Sequence, residues 1–135
     1  MRKLVIIPTY NEKENISAMI DKVFSLPEPF EMLVIDDGSP DGTAAIVRER
    51  QQEFPGRLHL LERSGKQGLG TAYLTGFRWG LEHGFDYICE MDCDFSHNPD
   101  DLVRLSRTAA EGYDVVVGSR YVQGCLLYTS DAADE

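Results

Sequence analysis

Hydrophobic and polar positions follow two patterns that alternate along the chain. Short runs of consecutive apolar residues are typical of strands buried on both faces, and segments with apolar residues every three or four positions are typical of helices. The apolar runs predict strands over residues 4–7, 32–35, 58–61, 87–91 and 115–117. The periodic segments predict helices over residues 11–24, 43–54 and 69–83, the second capped by Asp41 or Thr43. Asn98-Pro99 predicts the start of a fourth helix.

This alternation of strands and helices predicts an α/β fold with a mostly parallel sheet flanked by helices. Right-handed crossovers bring the carboxyl ends of such strands to one edge of the sheet, where ligands bind. Polar segments follow the first, second and fourth predicted strands, at residues 8–12, 36–43 and 92–97. We therefore expect one functional site at this edge.

The composition narrows the classes of function. The chain has 135 residues, enough for about one domain, and a net charge of −10. That charge argues against a nucleic-acid binder, which needs a basic face, but allows a nucleotide bound through a metal held by carboxylates. Three cysteines, an odd number, argue against a disulfide framework and favour a reducing compartment. No apolar stretch approaches the roughly 20 residues that span a bilayer.

The acidic segments carry the strongest candidate chemistry. Asp92 and Asp94 are two positions apart after a buried strand, so both carboxylates point to one side and suit Mg²⁺ or Mn²⁺. The alternative is an Asp-rich turn that caps the next helix. Asp36 and Asp37 repel each other unless a cation or hydrogen bonds offset them. Asp37 is well placed for a ribose or a base edge, while residues 38–42 form a turn.

Two further segments add candidate ligand contacts. Tyr10 can stack on a base and Glu12 can accept hydrogen bonds from it; the alternative is a helix start with Asn11 as its cap. Arg120 follows the fifth predicted strand, where an arginine suits phosphate, although a surface arginine is equally compatible. A dinucleotide-binding redox fold is disfavoured, because Tyr73 stands where the third glycine of its fingerprint belongs.

The last eleven residues, CLLYTSDAADE, differ in composition from what precedes them. No helix or strand pattern continues after Gly124. We therefore expect residues 125–135 to be a non-native or disordered tail, with a genuine short tail as the alternative. Residues 1–124 would then form the native part of the domain.

Five motifs together resemble the family-2 glycosyltransferases of the GT-A fold, and more narrowly the dolichol-phosphate or polyprenol-phosphate mannose synthases. They occur in the family's order and cover nearly all of residues 1–124. The motifs are PTYNE at residues 8–12, DDGSPDGT at 36–43, GLGTAY at 68–73, MDCDFSHNP at 91–99 and GSRY at 118–121. The resemblance also implies that residues 1–124 are the nucleotide-sugar-binding part of a GT-A domain and that the chain is truncated at its C-terminus.

The resemblance implies roles for individual residues. Asp92, the Cys93 backbone and Asp94 would serve Mg²⁺ or Mn²⁺ and the diphosphate, and Arg120 would bind near the phosphates. Asp92, Asp94 and Arg120 would be the catalytic residues. The family usually has alanine where this chain has Cys93. The residues implied to line the nucleoside pocket are Pro8, Tyr10, Glu12, Ile35 and Asp37.

The implied reaction transfers mannose from GDP-mannose to a polyprenyl phosphate with inversion at the sugar. The acceptor phosphate has a second pKa of about 6, so it needs no general base at neutral pH. Alternatives are a transferase that uses UDP-glucose or another nucleotide sugar, and an inactive nucleotide-sugar-binding fragment. The expected location is the cytoplasm, in peripheral contact with the cytosolic face of a membrane: that of the endoplasmic reticulum in a eukaryote, or the plasma membrane in a prokaryote.

Overall fold

A single mixed sheet forms the centre of the chain. The computed structural model describes residues 2–65, 67–94, 98–110, 115–117 and 124–127. The strands in this part are β1 Lys3–Thr9, β2 Glu31–Asp36, β3 Leu58–Glu62, β4 Tyr87–Glu90, β5 Val115–Val117 and β6 Gly124–Leu127. They pair in the order β3-β2-β1-β4-β6-β5. The pairs β3-β2, β2-β1 and β1-β4 are parallel, and β6 is antiparallel to both neighbours. The predicted mostly parallel sheet is confirmed.

Helices cover both faces of this sheet. They are α1 Ile16–Phe24, α2 Thr43–Arg50, α3 Leu69–Glu82 and α4 Asp101–Ala110. Because side chains alternate along a strand, β1 contributes to two separate core layers. Val5 and Ile7 pack in the layer that holds α1, α2 and α4, and Leu4 and Ile6 pack in the layer that holds α3. This explains why the strands are apolar at nearly every position.

The helix α3 approaches the sheet closely because small residues line its inner face. Ala72, Gly76 and Gly80 are four residues apart and therefore lie on one side of the helix. A Cβ atom added at Gly76 would lie 2.7 Å from the Cδ1 and Cγ2 atoms of Ile6. The short distance between α3 and β1 thus depends on the absence of a side chain at this position.

Several element boundaries differ from the predictions. The helix α1 begins at Ile16 rather than at residue 11, because Asn11 has a φ of 56°, which a right-handed helix does not accept. The helix α2 ends at Arg50 rather than at residue 54, and turns lead to Phe54, whose helical conformation is disfavoured by the following Pro55. The helix α4 begins at Asp101, after a turn in which the Asn98 side chain accepts from the Asp100 N–H.

The expectation of no regular structure after Gly124 is wrong for the first residues of that segment. The strand β6 spans Gly124–Leu127 and lies between β4 and β5. A three-residue apolar run is too short to show a periodic pattern, but pairing supplies partners for the backbone groups of β4 and β5 that face it. Whether residues 125–135 are non-native stays a prediction.

Across the described residues, the helices are too short or too polar to cross a bilayer.

The packing of α3 predicts that replacing two of its glycines by alanine affects stability differently. We expect Gly76→Ala to lower the free energy of unfolding by about 1–3 kcal/mol, because the added methyl group overpacks the contact with Ile6. Gly70→Ala is the matched control, since a Cβ atom there meets nothing within 4 Å. It should leave stability unchanged or raise it by up to about 1 kcal/mol through helix propensity. Urea denaturation followed by circular dichroism measures both. Equal effects at the two positions would contradict the close approach.

Candidate functional site

Three loops meet at one cleft at the carboxyl edge of the parallel strands. The loops follow β1, β2 and β4, as the sequence predicted, and the first turns of α3 form another wall. The cleft has a volume of about 200 Å³. Its lining residues are Pro8, Thr9, Tyr10, Glu12, Asp37, Gly68, Ala72, Asp92, Cys93 and Asp94. Tyr10, Asp37 and Asp94, which are far apart in sequence, therefore share one site.

The adjacent acids Asp36 and Asp37 have different surroundings. Asp36 is buried and accepts three hydrogen bonds: from the Thr9 hydroxyl at 2.7 Å, the Ser39 hydroxyl at 2.7 Å and the Ser39 N–H at 2.9 Å. These donors compensate its negative charge. Asp36 thus joins the ends of β1 and β2, while Asp37 lines the cleft.

Asp37 forms a bidentate ion pair with Arg63. The Arg63 Nε donates to Asp37 Oδ1 at 2.6 Å, and one terminal nitrogen donates to Oδ2 at 2.8 Å. Both side chains are largely buried, at 8% exposure for Asp37 and 9% for Arg63. The Gln67 N–H also donates to Asp37 Oδ2, at 3.3 Å. The geometry fixes the Asp37 carboxylate in the wall of the cleft.

Arg63 is a site residue that the sequence analysis missed. It also donates to the Thr71 hydroxyl at 3.1 Å and to the Gly68 carbonyl at 3.4 Å, so it connects the loop after β3 to the start of α3. A signal for it was present in the sequence, because two adjacent acids require a compensating cation. The register that pairs Asp36 with Glu62 puts residue 63 beside residue 37, but that register is a property of the folded sheet.

The loop after β4 brings a second group of acids to the cleft. The Tyr73 hydroxyl donates to Asp92 Oδ1 at 2.8 Å, which fixes the orientation of that carboxylate. Burial, the hydrogen bond to Asp92 and the nearby acidic charges raise the pKa of the Tyr73 phenol, so it stays a donor. Tyr73 belongs to one of the five motifs, but the sequence analysis gave it no role.

Negative charge is concentrated beneath this loop. Glu90 lies two residues before Asp92 and is half-buried; burial and the charge of Asp92 raise its pKa to about 7. Burial also raises the pKa of the Cys93 thiol, and the carboxylates of Glu12 and Asp94 raise it further. The Cys93 side chain is therefore a neutral thiol at neutral pH. A role for this residue in metal or diphosphate binding would have to come from its backbone.

The donor set fits one kind of metal site. Within the described ranges, no cluster of three or more His, Cys, Asp and Glu side chains is arranged to hold an ion. Asp92 and Asp94 contribute two carboxylate side chains to the lining of the cleft. Mg²⁺ and similar hard ions are commonly bound by one or two carboxylates, with substrate phosphates and waters completing the shell. The residues thus fit an ion that binds together with a diphosphate.

One residue that the resemblance assigns to the nucleoside pocket is not among the described lining residues of the cleft. Ile35 is fully buried in the core layer under α3 and is absent from the described lining of the cleft. Its side chain packs in this core layer. Arg120 lies outside the described residues.

Comparisons with known proteins agree on one family. The sequence model of the family described as glycosyl transferase family 2 matches residues 4–131 of this chain. The match extends into the segment that the sequence analysis expected to be a tail. A polyprenol monophosphomannose synthase of Mycolicibacterium smegmatis is 49% identical over 123 residues, which are 91% of this chain and 46% of that protein. An undecaprenyl-phosphate mannosyltransferase of Micrococcus luteus is 48% identical over 124 residues, which are 92% of this chain and 50% of that protein.

The fold also matches solved structures. A mannosyltransferase from Pyrobaculum calidifontis in complex with GDP-Man and Mn²⁺ superposes with a TM-score of 0.78 at 22% identity, over 93% of this chain and 44% of that one. At this identity the likeness shows a GT-A fold. The chain spans about half the length of the curated relatives cited above.

The buried ion pair predicts a strong effect on stability. We expect Arg63→Met to lower the free energy of unfolding by about 3–5 kcal/mol, because it leaves the Asp37 carboxylate buried without its cation. Arg48→Met is the control: it breaks the Arg48–Glu62 pair, whose side chains are 53% and 51% exposed, and should lose no more than about 1 kcal/mol. Urea unfolding of both variants makes the comparison. Similar losses would show that the Asp37 carboxylate does not depend on Arg63.

Proposed function

The chain belongs to glycosyl transferase family 2, and on this premise we propose that it forms the donor-binding part of an enzyme that transfers mannose from GDP-mannose to a polyprenyl phosphate. The names of its relatives, a polyprenol monophosphomannose synthase and an undecaprenyl-phosphate mannosyltransferase, support the sugar and the lipid acceptor. The Pyrobaculum protein, with GDP-Man and Mn²⁺ bound to the same fold, supports the donor and the ion.

The observation that carries this proposal is the convergence of two chemically different groups at one cleft. Tyr10, Glu12 and Asp37 combine an aromatic ring with carboxylates and would bind the nucleoside, with Pro8 beside them. Asp92, the Cys93 backbone and Asp94 lie in the same cleft and would hold Mg²⁺ or Mn²⁺ against the diphosphate. A nucleotide sugar has two corresponding parts: a base with a ribose, which the first group would bind, and two phosphates, which the second group would bind through the ion. Arg120 would add a positive charge near the phosphates.

The reaction requires no general base from the protein. An oxygen of the acceptor phosphate, mostly a dianion at pH 7, forms a bond to C1 of mannose. The bond between C1 and the GDP oxygen breaks, and its electron pair leaves with GDP. Attack from the face opposite to GDP inverts the sugar centre. A bound divalent ion supplies positive charge where negative charge develops on the departing diphosphate. Asp92 and Asp94 would hold that ion, and Tyr73 would keep Asp92 oriented.

The acceptor also determines where the enzyme works. A polyprenyl phosphate is a membrane lipid, whereas GDP-mannose is a water-soluble donor. We propose peripheral contact with the cytosolic face of a membrane, where both substrates meet. Two alternatives stay open as outcomes of the test: a donor such as UDP-glucose, and a fragment that binds the nucleotide sugar without transferring it.

Ligand-dependent melting tests the donor. We expect GDP-mannose with Mn²⁺ to raise the melting temperature of the chain by several degrees, because a ligand at 100 times its Kd stabilises the folded state by about 2.7 kcal/mol. GDP-mannose without the ion should give a smaller shift, and UDP-glucose with Mn²⁺ should give little. A larger shift with UDP-glucose than with GDP-mannose would identify UDP-glucose as the donor instead. No shift with any nucleotide sugar would overturn the proposed function.

A variant that removes the charge of one carboxylate tests the ion site. Asp94→Asn should remove most of the Mn²⁺-dependent part of the shift, because an amide oxygen is a weaker ligand for a hard ion than a carboxylate. Asp86→Asn is the matched control, since Asp86 precedes β4 at the opposite edge of the sheet and accepts from the Arg2 N–H. It should retain the full shift. Retention of the shift in Asp94→Asn would contradict the assignment of the ion to this loop.

Transfer is then measured directly. The chain is incubated with GDP-mannose, Mn²⁺ and a polyprenyl phosphate, and the lipid product is analysed by mass spectrometry. We expect a mannosyl-phosphoryl-polyprenol. Donor binding without this product would favour the non-catalytic alternative for the chain.

A further inference from the structure

The loop that carries Tyr10 and Glu12 is held by side chains of a second segment, residues 39–43, which follows β2 and ends at the first residue of α2. Three consecutive backbone N–H groups of the first loop each donate to a different side chain of the second. Asn11 N–H donates to Ser39 Oγ at 2.9 Å, Glu12 N–H to Thr43 Oγ1 at 3.1 Å and Lys13 N–H to Asp41 Oδ2 at 3.1 Å. We call Ser39, Asp41 and Thr43 the loop clamp.

The two hydroxyl groups of the loop clamp are oriented by carboxylates. Ser39 Oγ lies 2.7 Å from Asp36 Oδ1, and Thr43 Oγ1 lies 2.5 Å from Asp41 Oδ1. A carboxylate only accepts hydrogen bonds, so each hydroxyl must donate its single proton there. The hydroxyl lone pairs are then directed to the N–H groups of the first loop. The acids of the second motif thus determine which way both hydroxyls point.

Asp41 is the centre of this arrangement. It accepts from the Thr43 hydroxyl, from the Thr43 N–H at 3.0 Å and from the Lys13 N–H. The hydrogen bond from the Thr43 side chain is the largest cause that lowers the pKa of the Asp41 carboxyl, and the backbone donors lower it further. The group therefore stays an acceptor at neutral pH. A helix cap was expected from Asp41 or Thr43, but the N-cap position is Gly42; Asp41, one residue before it, accepts from the N–H of Thr43, the first helical residue.

The first loop needs such support. Asn11 adopts a φ of 56°, a conformation that few non-glycine residues adopt. The N–H groups of residues 11–13 precede the helix that starts at Ile16 and have no helical acceptor, so the side chains of the loop clamp supply their acceptors. Tyr10 and Glu12 stand directly beside the clamped N–H groups, and both line the cleft. Their positions relative to Asp37 therefore depend on the clamp.

We propose that Ser39, Asp41 and Thr43 are positioning residues for the nucleotide sugar, since they hold the backbone that presents Tyr10 and Glu12 to it. The inference rests on the proposed function, because it assigns Tyr10 and Glu12 to the donor. The loop clamp itself does not need to touch the ligand. It determines how much of the ordering of this loop is completed before the donor binds.

The experiment compares three variants. Asp41→Ala removes the acceptor for the Lys13 N–H and for the Thr43 hydroxyl. Asp41→Asn is the intermediate variant, because its single amide oxygen can replace either Oδ1 or Oδ2 as an acceptor but not both. Gln51→Ala is the matched control: it removes a 3.1 Å hydrogen bond from a side chain to the Leu58 carbonyl at the other end of α2, far from the cleft.

The first measurement needs no ligand. Amide hydrogen exchange of Lys13 should become at least about fivefold faster in Asp41→Ala, because its N–H loses a charged acceptor. Exchange should be accelerated less in Asp41→Asn and should change little in Gln51→Ala. Unchanged exchange of the Lys13 amide in Asp41→Ala would overturn the loop clamp, whatever the chain binds.

The second measurement is the Kd for GDP-mannose with Mn²⁺ by calorimetry. We expect about a five- to tenfold increase in Asp41→Ala, the size of one typical hydrogen bond, a smaller increase in Asp41→Asn and less than about twofold in Gln51→Ala. Equal Kd values for Asp41→Ala and Gln51→Ala would overturn the positioning role while leaving the proposed donor intact. Failure of the unsubstituted chain to bind GDP-mannose would overturn the proposed donor. The exchange rate of the Lys13 amide alone would then test whether the loop clamp holds the first loop.

Discussion

The parallel pairing of β1 with a strand on each side is the constraint on which the rest of this structure depends. β1 lies between β2 and β4, and all three run in the same direction. Their carboxyl ends therefore meet at one edge, and the loops that follow them form a single cleft. The pairing is stable because both faces of the strands are covered by helices, and α3 comes close enough only through Gly76 and Gly80.

This convergence concentrates acidic side chains, and the chain compensates them in two ways. Hydrogen bonds from Thr9 and Ser39 stabilise Asp36, and the guanidinium of Arg63 neutralises Asp37. Beneath the loop after β4, burial raises the pKa of Glu90, and repulsion from the charge of Asp92 raises it further. A cation bound by Asp92 and Asp94 would reduce that repulsion, which is the electrostatic reason to place the ion there rather than beside Asp37.

The same contacts connect the two halves of the cleft. Arg63 joins the end of β3, Asp37 and the start of α3, while the loop clamp joins the loops after β1 and β2. Tyr73 extends the connection from α3 to Asp92. Groups proposed to bind the base and groups proposed to bind the diphosphate are thus held in one network of hydrogen bonds. A nucleotide sugar that spans both would meet a largely preformed surface, which reduces the entropy lost on binding.

The sequence by itself determined the elements and the location of the site. Uninterrupted apolar runs marked the strands because both faces of the sheet are buried, and the polar segments after them marked the edge. The five motifs on which the family resemblance rests are also visible in the sequence alone. Element ends were less certain, since the left-handed conformation of Asn11 depends on hydrogen bonds from a loop 28 positions away. Only the tertiary structure decided the partners of each charge: that Arg63 binds Asp37, that Tyr73 binds Asp92, that Ile35 is buried in the core, and that β6 enters the sheet. These depend on strand register and on distances between segments remote in sequence, which no local pattern of residues records.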